Sequence, residues 1–292
     1  VPAVRRDVDV QRTFEQQLAL FAYLPISRTR RVEVSGATSR FSFLTIRDSE
    51  FFFRNQLIDT ERFRLPRQPA FFTGQVGAAY VGDNTTPGPV APLKGHRYRL
   101  GLESTFGPLQ LNTLTADYRR YWRLKPLTFA VRGLHMARFG RDAQTNVVAP
   151  FFIGFPTLIR GYGTESYRRL PYQGESDVLP NQLQGSSMAV GNAEIRLPLT
   201  GNERLALFRS RLFPTELSLF ADGGYAWGMS APASGEGWLN GDQMKSRPVL
   251  STGVSLRINL LGFAILEPFW AIPWQRSGMQ GGVFGLNVAA GW

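Results

Sequence analysis

Long segments in which side chains alternate with a period of two constrain the fold of this chain more than any other feature. In "TELSLFADGG", Leu217, Leu219 and Ala221 fall on one face of such a segment, while Glu216 and Asp222 fall on the other. This is the period of a β-strand, whose successive side chains point to opposite faces of a sheet. No stretch follows the period of an amphipathic helix. The sequence therefore predicts an all-β fold.

The predicted strands are longer than those of most globular proteins. They lie near residues 10–23, 29–39, 41–53, 70–82, 96–107, 110–123, 126–140, 187–199, 215–228, 248–260, 263–273 and 282–292. Globular strands usually have about five or six residues, whereas a tilted strand that crosses a bilayer needs about 9–11. Segment 29–53 can form either a hairpin around "SGATSR" or one irregular strand, so we expect eleven or twelve strands.

Charged residues on the polar face of strand after strand distinguish between two all-β architectures. A soluble sandwich hides one face of each sheet in a dry core, which suits any single strand here but not a dozen of them. A closed barrel with lipid outside and a wet lumen suits them all. The connections 141–186 and 229–247 are long, whereas 124–125 and 261–262 are minimal. Long loops at one rim and tight turns at the other are typical of outer-membrane barrels.

We therefore predict an antiparallel transmembrane β-barrel of the bacterial outer membrane. Residues 10–292 form the barrel domain in this interpretation, and residues 1–9 are a linker or an N-terminal extension. The connection 141–186 is expected to fold back and plug the lumen. The two long loops are expected at the extracellular rim, and the tight turns at the periplasmic rim.

The composition narrows the range of functions. The chain has no cysteine and two histidines, which excludes disulfides and thiolate metal sites and argues against a histidine-rich metal site. Near His135, "RGLHMARFG" holds no nucleophile or orienting acid at a recognisable spacing, so we expect no enzyme, cofactor or metal. The formal net charge of +11 indicates either a solvated surface or contact with anionic groups such as lipid headgroups or nucleic acid. The basic and aromatic "DYRRYWRLK" fits a membrane interface better than a nucleic acid.

One arginine stands out in the long predicted loop. Arg160 follows an uncharged, mostly apolar stretch and precedes Gly161. If the loop folds into the lumen, the guanidinium is partly desolvated and must be paired. Glu194 and Asp222 lie on the polar faces of neighbouring strands, about 4.8 Å apart in a sheet, so one planar fork could reach both. The alternative is a solvated loop arginine.

Several motifs resemble those of the outer-membrane insertase superfamily, which includes barrel-assembly insertases, two-partner secretion transporters and bacterial surface antigens. "LIRGY" is similar to the loop motif of that superfamily, "GNAEIRLPL" to its following strand, "FADGG" to its F-x-D-x-G strand motif and "GLNVAAGW" to its closing strand. The resemblance covers about residues 70–292. The residues that carry it are Leu158, Ile159, Arg160, Gly161 and Tyr162 in the loop, Glu194, Phe220, Asp222 and Gly224 on strands, and Trp292 at the end.

The resemblance implies a barrel that assists the insertion or passage of proteins at the outer membrane. Barrels of this superfamily usually have sixteen strands, so the chain is expected to be part of a larger barrel that another chain or an upstream domain completes. The alternative is a complete, smaller barrel. Outer-membrane lipid, lipopolysaccharide and an unknown protein cargo are the expected partners, without nucleic acid. The alternative is a passive porin-like channel, or a structural barrel of an outer-membrane complex.

Overall fold

The computed structural model describes residues 4–53, 56–145, 147–163, 183–210, 212–228, 247–276 and 281–290. Its elements are all β-strands, which confirms the all-β prediction. They are β1 (Val4–Ser27), β2 (Arg30–Phe53), β3 (Gln56–Arg64), β4 (Phe71–Asp83), β5 (Gly95–Phe106), β6 (Leu111–Leu124), β7 (Leu127–Phe139), β8 (Phe151–Phe152), β9 (Gln184–Gly185), β10 (Ser187–Gly201), β11 (Phe208–Arg209), β12 (Thr215–Trp227), β13 (Val249–Leu260), β14 (Ala264–Pro273) and β15 (Val283–Ala290). In these ranges, no helix is long and apolar enough to cross a membrane.

One large sheet contains the long strands in the order β1-β2-β4-β5-β6-β7-β10-β12-β13-β14-β15. Neighbours along this path run antiparallel, as predicted. The path has eleven strands, the lower of the two predicted counts. Between the described residues of β1 and β15 there is no pairing, so the sheet is not closed into a barrel. The sixteen-stranded barrel remains a prediction.

The predictions for the first 64 residues need three corrections. The strand β2 runs unbroken from Arg30 to Phe53, so segment 29–53 is one strand and not a hairpin. The strand β1 already begins at Val4, so residues 4–9 belong to the sheet and not to a linker. The strand β3 has no counterpart among the predicted strands. Cross-strand ion pairs stabilise these polar segments; in one of them, Arg47 Nε lies 2.7 Å from Asp9 Oδ1. A pattern of alternating apolar residues does not reveal such segments in the sequence.

The side chains of β12 show that the sheet is apolar on its outer face and polar on its inner face. Leu217 and Leu219 are 38% and 54% exposed, whereas Glu216 and Asp222 are each 2% exposed and Ser218 is fully buried. A soluble protein has the reverse arrangement. Lipid contacts on the outside and a polar lumen on the inside account for both faces.

The orientation of β12 predicts how charge is tolerated along it. Replacing Leu219 by Arg places a cation on the lipid-facing side in the middle of the strand, and we expect a loss of about 2–4 kcal/mol in folding free energy. Phe213→Arg, just before the start of the same strand, should cost about 0–1 kcal/mol. Unfolding titrations in lipid vesicles would measure both. Equal losses for the two variants would contradict a lipid-facing outer side.

Candidate functional site

The connection between β7 and β10 turns back onto the inner face of the sheet. A hydrophobic cluster joins it to the wall, and its loop members Ile153, Ile159, Tyr162 and Leu183 are at most 1% exposed. The wall contributes Leu134, Met188, Val190, Ala226 and Val249. Leu158 packs at the margin of the same cluster. This burial fixes the loop tip in the lumen, so the residues of "LIRGY" face β10, β12 and β13.

Arg160 lies at the centre of the inner face and is 4% exposed. Its Nε and Nη2 donate to the two oxygens of Asp222, each at 2.8 Å, and its backbone N–H donates to the same carboxylate at 3.1 Å. Nη2 also lies 2.8 Å from Glu194 Oε1. The structure thus places the guanidinium between the two carboxylates that sequence parity singled out.

A third carboxylate was not predicted. Arg160 Nη1 donates to Glu267 Oε1 at 3.1 Å, across from β14. Glu267 is the only charged residue of β14. A single charge in an otherwise apolar strand that borders a charged lumen is a signal that sequence reasoning could have used. One loop side chain therefore ties together β10, β12 and β14.

The three defined residues of the F-x-D-x-G motif are two positions apart, so they lie on the same face of β12. Phe220, Asp222 and Gly224 all point inward, and each meets the loop. The ring centroid of Phe220 lies 3.6 Å from Arg160 Cζ, which is a cation–π contact. A Cβ on Gly224 would stand 2.2 Å from Ile159 Cδ1, so only glycine leaves room for the loop at its present distance.

Gly161 and Tyr162 anchor the other side of the loop tip. Gly161 has a φ of +88°, a backbone conformation that side chains disfavour, and a Cβ there would lie 3.0 Å from the Ala271 side chain. The Tyr162 hydroxyl lies 3.0 Å from the Leu250 carbonyl oxygen and 2.8 Å from Gln275 Oε1. A phenol is protonated at neutral pH, so the hydroxyl can donate to these oxygens.

Two asparagines connect the loop backbone to the carboxylates. Asn192 Nδ2 donates to the Leu158 carbonyl and to Asp222 Oδ1, both at 2.8 Å. Asn287 Nδ2 donates to the Pro156 carbonyl and to Glu267 Oε2, both at 3.2 Å. Neither residue was among the predicted site residues, although both lie in motif-bearing strands. They orient the anionic side chains towards Arg160.

Further arginines extend the ion-pair network along the inner wall. Arg196 Nη2 lies 2.6 Å, and Arg257 Nη2 2.8 Å, from the Glu194 carboxylate. Arg257 also reaches Glu267 at 3.0 Å and Glu216 at 3.5 Å. The network contains three arginines and four carboxylates, namely Arg160, Arg196, Arg257, Glu194, Glu216, Asp222 and Glu267. Their charges nearly cancel, which a buried cluster of ions requires.

A second loop enters the lumen from the opposite rim. The connection 84–94 between β4 and β5 buries Val90 and Leu93, which are 2% and 4% exposed. The carbonyl of Pro89 accepts a hydrogen bond of 2.8 Å from Asn259 Nδ2 on β13, across the lumen. A cavity of about 260 Å³ lies between this loop and the charged network. Sequence analysis did not predict that this loop enters the lumen.

The remaining expectations concern metals and the last strand. In the part of the chain that the structure describes, no group of three His, Asp or Glu side chains is arranged to hold a metal ion. Trp292 lies outside the described residues, as do residues 164–182 of the long loop and residues 229–246.

Removing the guanidinium should destabilise the folded state strongly. We expect Arg160→Ala to lower the free energy of unfolding by about 3–5 kcal/mol, because it leaves buried carboxylates without their cation. Arg160→Lys should recover only part of this, since an ammonium group cannot make the two-pronged contact with Asp222. Heat-dependent migration in detergent gels measures the effect. The control is Arg209→Ala, which removes the cation of an exposed ion pair. A wild-type profile for Arg160→Ala would contradict the energetic role.

Gly224 offers a test of the loop contact that leaves all charges in place. Gly224→Val should push Ile159 away from β12 and cost about 1–3 kcal/mol through overpacking. A Cβ on Gly191 of β10 would meet no atom within 4 Å, so the matched change Gly191→Val should be nearly neutral. Protease protection of the loop, measured on both folded variants, would report the displacement. Equal protection of the two variants would be inconsistent with the close approach.

Comparison with known proteins agrees with this fold. The family model of the Omp85 superfamily domain matches residues 28–291. None of the curated proteins matches the sequence. The crystal structure of BamA from Haemophilus ducreyi lacking POTRA domains 1-3 is similar in fold, with a TM-score of 0.55 and 12% sequence identity over 98% of this chain. The chain covers 62% of the length of that BamA chain. With a family match over nearly its whole length, the chain belongs to the Omp85 superfamily of outer-membrane β-barrel proteins.

Proposed function

We propose that the chain is the barrel portion of a protein that assists the insertion or passage of other proteins at the outer membrane. The observation that carries the proposal is the contact of Arg160 with carboxylates on three strands. A passive wall needs no such internal brace. A barrel whose wall must open at one place needs the rest of the wall to keep its shape, and the loop provides this on β10, β12 and β14.

The edges of the sheet supply the second part of the proposal. The described residues of β1 and β15 lack a further strand, and an open edge leaves backbone N–H and C=O groups unsatisfied in lipid. We propose that another chain or an upstream domain completes the wall at these edges, and that a protein cargo engages the wall near them. The braced strands lie close to β15, and β1 lies far from the brace along the sheet.

Loop lengths support an assignment of the two rims. The connection 140–150 and the loop that follows leave the sheet at the same rim as the hairpin between β2 and β3, and we place this rim outside the cell. The turns 125–126 and 261–263 belong to the periplasmic rim. Lipid and, on the outer side, lipopolysaccharide then surround the apolar outer face.

Passive diffusion is the weaker alternative because loops occupy the lumen from both rims. The "LIRGY" tip fills it from the extracellular side, and the connection 84–94 crosses it from the periplasmic side. We assign no catalytic residue to the barrel. The buried charges act by holding the wall and the loop together.

A reconstitution experiment tests the proposal. The full-length protein would be placed in phospholipid vesicles, and the folding of an added urea-unfolded outer-membrane barrel would be followed by its heat-resistant gel mobility. We expect the protein to accelerate insertion, and Arg160→Ala to reduce the acceleration at least several-fold at a temperature where the variant remains folded. Arg209→Ala, at an exposed pair, should match the wild type.

Two outcomes would count against the proposal. One is an absence of acceleration by the wild-type protein. The other is a large, steady ionic conductance of the wild-type protein in planar bilayers, because that would favour the porin-like alternative.

A further inference from the structure

Three strands rise above the rest of the sheet at the rim that we place outside the cell. The pairing of β2 with β4 ends at Phe41 and Phe71, but β2 continues to Phe53. Above that point β1 flanks β2 on one side and β3 flanks it on the other. At about 3.4 Å per residue this extension rises roughly 40 Å. We refer to residues 4–16, 40–53 and 56–64 as the raised ribbon, which includes the uppermost residues of β2 that still pair with β4.

The outer face of the raised ribbon continues the outer face of the barrel wall. On β2, Val34 and Arg40 are exposed, whereas Ser39, Phe41 and Phe43 are buried. Even-numbered residues of β2 therefore point outward. The same holds for the residues directly opposite them on β1 and β3, because paired residues share a face. No bulge interrupts the pairing of β1 and β2 within the ribbon.

This outer face carries an excess of arginine. Its cations are Arg6, Arg12, Arg40, Arg62 and Arg64, against Asp48 and Glu50. Arg62 Nε and Nη2 donate to the two carboxylate oxygens of Asp48, at 2.6 and 3.0 Å. The other four arginines are exposed, and in the described part of the chain none of them has an ion pair.

The inner face of the ribbon shows that this excess is confined to one side. There, Arg47 binds Asp9 at 2.7 Å and Arg5 binds Asp7 at 2.8 Å. Each inner arginine thus has its own carboxylate. The free positive charge of the ribbon faces outward, where the membrane lies.

The lowest of these arginines lies where the apolar band of the wall ends, and the others lie above it. Arg40 pairs across the sheet with Phe72, which is 64% exposed and is the first outward-facing residue of β4. The apolar band of that strand ends there. Arg12 lies beside Leu44, about 13 Å higher along the strand direction. Val8, Val10 and Phe14 stand between the arginines on the same face of β1 and are 38%, 43% and 49% exposed.

We propose that the outer face of the raised ribbon binds the phosphorylated saccharide headgroup of lipopolysaccharide, with Arg12, Arg40 and Arg64 as the phosphate ligands. Guanidinium groups match phosphate oxygens with two parallel hydrogen bonds. The interleaved apolar side chains can cover the sugar rings and the upper acyl chains. The inference rests on the rim assignment made above, because the outer leaflet alone contains this lipid.

A binding experiment tests the proposal on the full-length protein in detergent. Fluorescent lipopolysaccharide would be titrated against the wild type and against the triple variant Arg12→Glu, Arg40→Glu and Arg64→Glu. We expect the triple variant to bind at least about tenfold more weakly, since each cation near an anionic surface contributes about 1 kcal/mol. The matched control reverses three exposed cations of the opposite rim: Lys125→Glu, Arg204→Glu and Arg209→Glu. It should bind within about twofold of the wild type.

A second probe identifies the recognised group. Lipopolysaccharide from which the phosphates of the saccharide headgroup have been removed should bind the wild type as weakly as the intact lipid binds the triple variant. If charge reversal prevents folding, the triple change to Gln removes the cations with little change of size, and it should show the same loss. Unchanged binding of the triple variant would overturn the proposal, and so would equal loss in the control or undiminished binding of the dephosphorylated lipid.

The outcome is separable from that of the insertion assay. The double variant Arg40→Glu and Arg64→Glu, which leaves the edge strand β1 unchanged, should accelerate insertion like the wild type in vesicles that contain no lipopolysaccharide. Failure of lipid binding with normal insertion would reject only the lipid site. Normal lipid binding by a protein that does not accelerate insertion would reject only the proposed insertion activity.

Discussion

The guanidinium of Arg160 is the charge on which the inner side of the wall depends. Asp222, Glu194 and Glu267 project into the same space from three different strands. Without a cation between them, their mutual repulsion and their desolvation would both oppose folding. The cation comes from a loop, so closing the loop and neutralising the wall are one event. The position of the loop is therefore set by electrostatics as well as by its apolar contacts.

Close packing around the loop holds the Arg160 guanidinium in one position. Phe220 lies under the guanidinium, and Gly224, two inward-facing positions further along β12, leaves space for Ile159. The loop backbone is held by donors from both sides, at Leu158 by Asn192 and at Gly161 by Arg276, which donates at 2.8 Å. Since the apolar contacts, the backbone hydrogen bonds and the ion pairs all select the same position, a change in any one of them is transmitted to the others.

A barrel with such an interior works through its wall more readily than through its lumen. The lumen is crossed by loops from both rims, and the braced strands cannot separate without exposing buried ions. The unpaired edges lie elsewhere, on β1 and β15. The outside of the wall is equally uneven, because β1 to β3 extend far above their neighbours and carry exposed arginines on their outer face. The side chains on the inner and outer faces therefore differ from one part of the wall to another.

The sequence by itself determined the strands, their faces and part of the charged site. Alternation is a local property, so it sufficed to assign Asp222 and Glu194 to the inner face and to pair them with Arg160. Only the tertiary structure decided that Glu267 completes the site and that residues 84–94 reach Asn259, because sheet curvature alone determines which distant strands face each other across a lumen. It also decided that β2 is one strand with β3 beside it. Cross-strand ion pairs between distant residues stabilise that region, and they leave no periodic trace in the sequence.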